Sequence, residues 1–257
     1  MKKIVIFNQK GGTGKSTCTV NIAGILDKIY KKRVLIIDCD PQINSTLFLI
    51  SEDDCKNDIT NVLRGKTDIK ESVVNVSLVV RYTIDTGIDV LPGSREVDSL
   101  NIKNITIFKE ILKEVEDKYD YCIFDCPPHI SNMTLAALSA ADYVLVPALA
   151  DTDSLCGYDL LIDTVSQIRT SETNVSLRIL GIFFNNVEIN KALEKYIISD
   201  CKENMGDIVF KSYIRRSSAV SQARYYGKPL CYYRSTAPVT KDFENLTKEI
   251  MNRIKKR

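Results

Sequence analysis

The stretch KIVIFNQKGGTGKST, residues 3 to 17, joins an apolar run to a glycine-rich turn and a Gly-Lys-Ser sequence. Glycines at positions 11, 12 and 14 allow backbone N–H groups to turn inward without Cβ clashes, as phosphate oxygens require. Such a turn is a credible phosphate-binding loop when a strand precedes it and a helix follows it. The stretch therefore predicts a strand, a phosphate-binding loop and a helix, which together open an α/β fold.

This loop departs from the usual P-loop pattern at its first position. Gln9 stands where that pattern has glycine, and Lys10 follows it directly. Lys15 occupies the position that pairs with the β- and γ-phosphates, and the hydroxyl of Ser16 occupies the position that ligates Mg²⁺. Lys10 is therefore a second lysine at the phosphate site, and the ordinary pattern gives it no task.

Apolar runs of four to eight residues recur along the rest of the chain and are separated by segments with helical periodicity. These strand-like runs span residues 33–38, 89–92, 121–125, 143–147 and 179–184. Continuous apolarity is typical of strands that are buried on both faces, and alternation with helices indicates parallel pairing. We predict an α/β P-loop NTPase fold in one domain, residues 1–257, with a mostly parallel twisted sheet and helices on both faces.

Acidic residues end two of these apolar runs. Asp38 and Asp40 close the run LIIDCDPQ, residues 35–42, and Asp125 closes YCIFDCPP, residues 121–128. P-loop enzymes hold magnesium with an acid in this position, usually through water, so Asp125 is the first candidate. Asp40 is the candidate for orienting the attacking water or acting as the base, and it is a second candidate for magnesium through water. The competing interpretation for each acid alone is a helix cap or a solvated loop residue.

Composition excludes several classes of protein. Thirty-five basic residues face 33 acidic ones, a net charge of +2, so any nucleic-acid signal must be local. Eight cysteines without a CxxC pair and a single histidine argue against a zinc site and favour reduced thiols in the cytoplasm. No uncharged apolar stretch approaches the ~18 residues of a membrane span, so we expect no stable membrane association.

Four motifs together carry a family resemblance: KGGTGKST (10–17), LIIDCDPQINST (35–46), YDYCIFDCPP (119–128) and AADYVLVP (140–147). This set resembles the ParA/MinD family of deviant Walker A ATPases and is closest to the small, Soj-like ParA partition ATPases. The resemblance implies ATP and Mg as cofactors, with Asp40 as the hydrolytic aspartate and Asp125 as the magnesium acid. The residues that it implies for phosphate binding are Gly11, Gly12, Thr13, Gly14, Lys15, Ser16 and Thr17.

The same resemblance gives Lys10 a task. In the family this lysine reaches the nucleotide of a second subunit in an ATP-bound sandwich dimer, which adds Lys10 to Lys15 and Asp40 as catalytic residues. Asp151 matches the acid that holds this lysine when the site is empty or after hydrolysis. Asn185 lies where the family contacts adenine. Arg215 belongs to the segment that closes over the base, although it replaces the family's proline.

A basic segment lies between residues 211 and 241, where seven lysines and arginines occur without any acid and five tyrosines are interleaved with them. Such a segment predicts phosphate contacts that do not depend on sequence, although a solvated face with tyrosines anchored in the core is the plain alternative. The resemblance favours non-specific DNA binding by the ATP dimer. The candidate DNA-binding residues are Lys211, Arg215, Arg216, Arg224 and Lys228.

The resemblance therefore implies a cytoplasmic, nucleoid-associated ATPase for plasmid, mobile-element or chromosome partition. ATP would drive dimerisation and DNA binding, and a ParB-like centromere-binding protein would stimulate hydrolysis and release. A MinD-like positioning ATPase on membranes and a nucleotide-gated scaffold without significant hydrolysis are the alternatives. The C-terminal segment spaces Phe243, Leu246, Ile250 and Ile254 on one helical face, which predicts a helix packed on the sheet and leaves contact with DNA or membrane open.

Overall fold

The computed structural model describes residues 1–79, 83–151 and 158–256, and its strands form one seven-stranded sheet in the order β3-β4-β2-β5-β1-β6-β7. Neighbouring strands are parallel except β3 and β4, which pair antiparallel at one edge. The strands are β1 (Lys2–Ile6), β2 (Val34–Asp38), β3 (Val74–Val79), β4 (Thr83–Leu91), β5 (Tyr121–Asp125), β6 (Tyr143–Ala148) and β7 (Arg178–Phe184). The predicted mostly parallel sheet is confirmed.

Helices cover both faces of this sheet. They are α1 (Lys15–Lys28), α2 (Asn44–Leu49), α3 (Ile59–Leu63), α4 (Ile69–Ser72), α5 (Ile107–Lys113), α6 (Asn132–Ala140), α7 (Tyr158–Thr170), α8 (Ala192–Met205), α9 (Ser218–Tyr225), α10 (Leu230–Tyr233) and α11 (Pro238–Lys256). Alternate residues of β1, together with Phe7 directly after it, show the two layers: Ile4 and Ile6 pack with α1 and α11, whereas Val5 and Phe7 pack with α5 and α6. Strands covered in this way are buried on both faces, which is why their sequences are continuously apolar.

The antiparallel edge hairpin is the main element that the apolar runs did not predict. They predicted only residues 89–92 here, but β4 begins at Thr83, and β3 pairs with it. In β3, Val76 and Leu78 are buried while Asn75 and Ser77 are exposed. An edge strand with one solvated face alternates in this way and does not form a continuous apolar run.

Helix α11 lies on the same layer as α1. Phe243, Leu246, Ile250 and Ile254 are buried against the sheet, so the predicted packing of the C-terminal helix is confirmed. Its apolar face is thereby occupied by the core, and its outward residues are polar and mostly basic. Within the residues that the structure describes, no helix has the length and apolarity to span a bilayer.

Parallel pairing places the predicted site residues at one edge of the sheet, because the carboxyl ends of β1, β2, β5, β6 and β7 all point there. Asp38 of β2 is directly opposite Asp125 of β5 in the register, and Ile6 of β1 is opposite Asp125 on the other side. The loop after β1 therefore lies beside the acids that end β2 and β5.

Candidate functional site

The glycine-rich loop connects β1 directly to α1, which begins at Lys15. Gly12 and Gly14 have positive φ angles of 77° and 85°, a region that residues with a Cβ rarely adopt. At Gly14 a Cβ would also lie 2.3 Å from Nδ2 of Asn185. Two of the three predicted glycine positions are therefore required by the backbone itself, and the N-terminus of α1 points its partial positive charge at the loop.

Asn185 ties the end of β7 to this loop. Its backbone N–H donates to the carbonyl of Ala148 at 2.7 Å, and its Nδ2 donates to the carbonyl of Thr13 at 2.8 Å. The side chain is buried. In this structure the predicted adenine-contacting asparagine therefore holds the phosphate loop in place, a contact that the sequence did not suggest.

A cavity of about 540 Å³ opens between the phosphate loop and the segment before α9. Its size is within the range of small-molecule sites. Loop glycines form one wall and the α9 side forms the other, with Asn185 and Arg215 between them. The lining residues are Gly12, Gly14, Thr17, Asn185, Asn186, Ile214, Arg215, Arg216, Ser217, Ser218, Val220, Ser221, Arg224 and Phe243.

Lys15 is buried at the base of the site. Its Nζ donates to the backbone carbonyl of Asn8 at 3.1 Å. Burial lowers the pKa of the ammonium, and the negative charges of Asp125 and Asp40 oppose that shift. The lysine therefore lies close enough to the two predicted site acids to feel their negative charge. Its hydrogen-bond partner, the carbonyl of Asn8, is neutral, and an anionic ligand could replace it.

Asp125 and Asp38 form a buried acidic pair beneath the loop. Burial raises the pKa of Asp125 to about 6, opposed by hydrogen bonds from Ser16 and Ser45. Burial and the charge of Asp125 raise the pKa of Asp38 to about 8. Oδ2 of Asp125 accepts a hydrogen bond from the Ser45 hydroxyl, whereas its Oδ1 is buried and finds no hydrogen-bond partner among the described residues. The unpartnered oxygen of Asp125 and the Ser16 hydroxyl are oxygen ligands of the kind that Mg²⁺ prefers, with water completing its coordination.

Asp38 organises the loop that carries Asp40. Its Oδ1 accepts the backbone N–H of Asp40 at 3.2 Å, and its Oδ2 accepts the N–H and the hydroxyl of Thr46 at 2.9 and 2.8 Å. Asp40 is buried as well, and its Oδ1 accepts the N–H of Gln42 at 2.8 Å. The roles of Asp38, Ser45 and Thr46 were not predicted; the sequence offers only the Asp-x-Asp spacing as a signal for the first of them.

Lys10 pairs with Asp151 within the same chain. The distance from Nζ to Oδ2 is 2.7 Å, and the two side chains are 30% and 40% exposed. The backbone N–H of Lys10 donates to Oδ1 of Asn8 at 2.9 Å, which fixes the base of the lysine. The structure thus brings together two residues that are 141 positions apart in the sequence, as the resemblance implied. Residues 152–157, which follow Asp151, lie outside the described residues.

Acids from other segments neutralise part of the basic region that the sequence shows between residues 211 and 241. Arg215 makes a two-pronged ion pair with Asp242, with Nε–Oδ2 and Nη2–Oδ1 distances of 2.6 and 2.8 Å. Arg216 pairs with Glu188 at 2.7 Å. The positive charge that the sequence places in this region is therefore balanced by acids at these two side chains. Their proposed contact with DNA stays a prediction, and it would have to displace these acids.

Among the described residues, the other three candidate DNA-binding residues have no acidic partner. Arg224 donates through Nη2 to Oδ1 of Asn44 at 2.6 Å, and that partner is a neutral amide. Within the described part of the chain, Lys211, Arg224 and Lys228 have no carboxylate within ion-pair distance. Seven cysteines are free thiols, and Cys156 lies outside the described residues.

Comparison with known proteins identifies the family of this chain. Residues 1–179 match a family model described as an AAA domain. The chain is 30% identical to the chromosome-partitioning ATPase Soj of Treponema pallidum, over 98% of each chain. It is 32% identical to a ParA family protein of Chlamydia pneumoniae, again over 98% of each chain.

This chain belongs to the ParA family. Among solved structures, the ATP complex of a McdA variant from Cyanothece superposes on this ParA-family chain with a TM-score of 0.81 and 21% identity, covering 99% of this chain and 96% of the other. That likeness shows the fold. The phosphate loop, the acids after β2 and β5, and Asp151 all lie within the matched residues 1–179, whereas Asn185 and the basic region lie beyond them.

Proposed function

We propose that this ParA-family protein is an ATPase that binds ATP in the cavity between the phosphate loop and α9. The observation that carries the proposal is the position of Lys15: its buried ammonium lies at the loop, in the field of Asp40 and Asp125. ATP phosphates would replace the carbonyl of Asn8 as its partner, and the loop N–H groups and the α1 N-terminus would share the remaining charge.

Magnesium fits two residues close to the loop, Ser16 and Asp125. The Ser16 hydroxyl and the unpartnered Oδ1 of Asp125 would hold the ion, the latter through water. Among the described residues, no group of three or more histidines, cysteines and acids is placed to hold a metal ion, so nucleotide oxygens and water would complete its ligands. When bound, magnesium neutralises charge on the phosphates as the bond to the γ-phosphoryl group breaks.

Asp40 is the residue that we assign to the attacking water. Its carboxylate is held by the turn to Gln42 and by the contact of its own backbone N–H with Asp38. A carboxylate fixed in this way orients a water molecule and accepts its proton as the phosphorus–oxygen bond forms. We expect hydrolysis to be slow in the isolated protein.

Dimerisation would complete the site. Lys10 now contacts Asp151 of its own chain, on a partly exposed surface. We propose that ATP binding draws this lysine away to the nucleotide of a second subunit, so that each active site contains Lys15 from its own chain and Lys10 from the partner. Hydrolysis, or an empty site, would return Lys10 to Asp151.

DNA binding and partition follow from the family and from the charges that remain unpaired. The relative in Treponema pallidum is named a chromosome-partitioning ATPase, and we extend that role to this protein. Lys211, Arg224 and Lys228 would contact DNA phosphates, and Arg215 and Arg216 would join after leaving their acids. A ParB-like partner would stimulate hydrolysis and release the dimer from DNA.

Nucleotide-dependent DNA binding tests this proposal. Duplex DNA of arbitrary sequence would be titrated with the protein in the presence of a non-hydrolysable ATP analogue, ADP or no nucleotide, at two salt concentrations. We expect binding only with the analogue, and a steep loss at higher salt because phosphate contacts release counterions. Liposomes with anionic lipids serve as the parallel arm. ATP-dependent liposome binding without DNA binding would instead support the MinD-like alternative.

A further inference from the structure

Three tyrosine rings form an exposed cluster where α9 meets α10. Tyr225 packs edge-to-face on Tyr226 with ring centroids 5.3 Å apart, and Tyr226 stacks on Tyr233 at 5.3 Å with an interplanar angle of 20°. Tyr225 is 85% exposed and Tyr226 is 55% exposed. We call these three residues the tyrosine cluster.

Tyr232, next to this cluster in the sequence, is anchored to the core by its contacts. The hydroxyl of Tyr232 donates to Oδ2 of Asp27 at 2.5 Å, and Nζ of Lys28 lies 4.8 Å from its ring centroid. Tyr232 therefore joins α10 to α1. Tyr225 has no comparable anchor to the core: its ring contacts another tyrosine and otherwise faces solvent. Packing of the core does not explain why a large aromatic side chain is placed there.

Three positively charged residues without acidic partners in the described part of the chain are close to the tyrosine cluster in the sequence. Arg224 precedes Tyr225, Lys228 follows Tyr226 by two residues, and Arg234 follows Tyr233. No carboxylate lies within ion-pair distance of these three cations among the described residues, in contrast to Arg215 and Arg216. Exposed aromatic faces beside unneutralised cations are complementary to nucleobases joined by phosphates.

We propose that the tyrosine cluster stacks unpaired nucleobases while Arg224 and Lys228 contact the adjoining phosphates, so that the protein binds single-stranded nucleic acid at this surface. This inference rests on the proposed DNA binding and gives it a specific ligand class. Duplex DNA offers phosphates to the same cations, but its base faces are covered by their neighbours in the stack. The tyrosine cluster therefore adds affinity only where bases are unpaired, without selecting their sequence.

Fluorescence anisotropy with labelled oligothymidylate, and with a duplex of the same length, measures binding to single-stranded and to duplex DNA separately. The full chain would be used with a non-hydrolysable ATP analogue. We expect Tyr225→Ala to weaken oligothymidylate binding by about 5- to 150-fold, the range for loss of one stacked base, and to leave duplex affinity unchanged. Tyr225→Phe keeps the ring and should retain binding. Tyr196→Ala, at a tyrosine that is 68% exposed on α8, is the matched control.

Salt dependence separates stacking from phosphate contact. On oligothymidylate, Tyr225→Ala should leave the slope of log affinity against log salt unchanged, whereas Lys228→Ala should reduce it by ~0.7 for the one charge removed. Equal losses of duplex and oligothymidylate affinity in Tyr225→Ala, or no loss in either, would overturn the stacking proposal, and the second result would indicate a protein-contact surface. If the wild type binds duplex but not oligothymidylate, only this inference fails. If it binds neither, the proposed DNA binding fails as well.

Discussion

Replacing Asp151 with alanine should strengthen ATP-dependent dimerisation, because it removes the acid that holds Lys10 within its own subunit. The pair is short, 2.7 Å, but its side chains are 30% and 40% exposed. Ion pairs with that exposure contribute about 0.2 to 1 kcal/mol. Since a sandwich dimer would break two such pairs, the gain is about 0.4 to 2 kcal/mol, which lowers the dimer dissociation constant by about 2- to 30-fold.

Sedimentation velocity over a range of protein concentrations, with a non-hydrolysable ATP analogue, gives this constant directly. Glu116→Ala is the matched control, since it removes a similar exposed pair with Lys3 at 2.9 Å on another surface, and it should not change dimerisation. In a Lys10→Ala background, Asp151→Ala should have no further effect. Asp151 and the partner's nucleotide are proposed to compete for Lys10. Weaker dimerisation in Asp151→Ala, or an equal gain in dimerisation when Lys10 is absent, would refute that competition.

Three further predictions concern hydrolysis, the cavity rim and pH. Asp40→Ala should lower phosphate release by about 10²- to 10⁴-fold while ATP-dependent DNA retention persists; turnover at the wild-type rate would remove Asp40 from the mechanism. Asp242→Ala should lower the free energy of unfolding in urea by about 1 to 3 kcal/mol, because it leaves Arg215 without its bidentate partner. Glu188→Ala, which removes an exposed pair with Arg216, should not change the free energy of unfolding measurably. Equal effects of the two substitutions would contradict this reasoning. Burial raises the pKa of Asp38 to about 8, so the folded protein keeps a proton that the unfolded chain releases above about pH 4. Stability of the nucleotide-free protein in urea should therefore fall between pH 6 and 8, by at most about 1.4 kcal/mol per pH unit for that proton, and a rise would contradict the assigned shift.

The phosphate loop and the position of its acids could be predicted because both depend on local sequence and on strand direction. Gly12 and Gly14 are glycines for a backbone reason that the turn imposes. Asp40 and Asp125 come together because Asp40 follows β2 and Asp125 ends β5, and these strands are parallel neighbours. The pairing of Lys10 with Asp151 has no such local cause and came only from the family resemblance.

The features that could not be predicted depend mostly on contacts between segments that are distant in the sequence. Asp242 lies 27 residues after Arg215 and Glu188 lies 28 residues before Arg216, so a window without acids gave no warning that they would be paired. Hydrogen bonds from Ser45 and Thr46 to the buried acids depend on how α2 packs after Pro41. The edge strand β3 was missed because its apolar residues alternate with polar ones, unlike the buried strands.

Mixing two inactive variants tests whether each active site takes Lys15 from one subunit and Lys10 from the other. Lys10→Ala and Lys15→Ala would be purified separately, mixed with Mg-ATP, and assayed for phosphate release. A mixed dimer has one site with both lysines only if Lys10 acts across the interface. The mixture should regain hydrolysis that neither variant shows alone. A mixture that stays inactive, although mass photometry shows the mixed dimer forming, would contradict it.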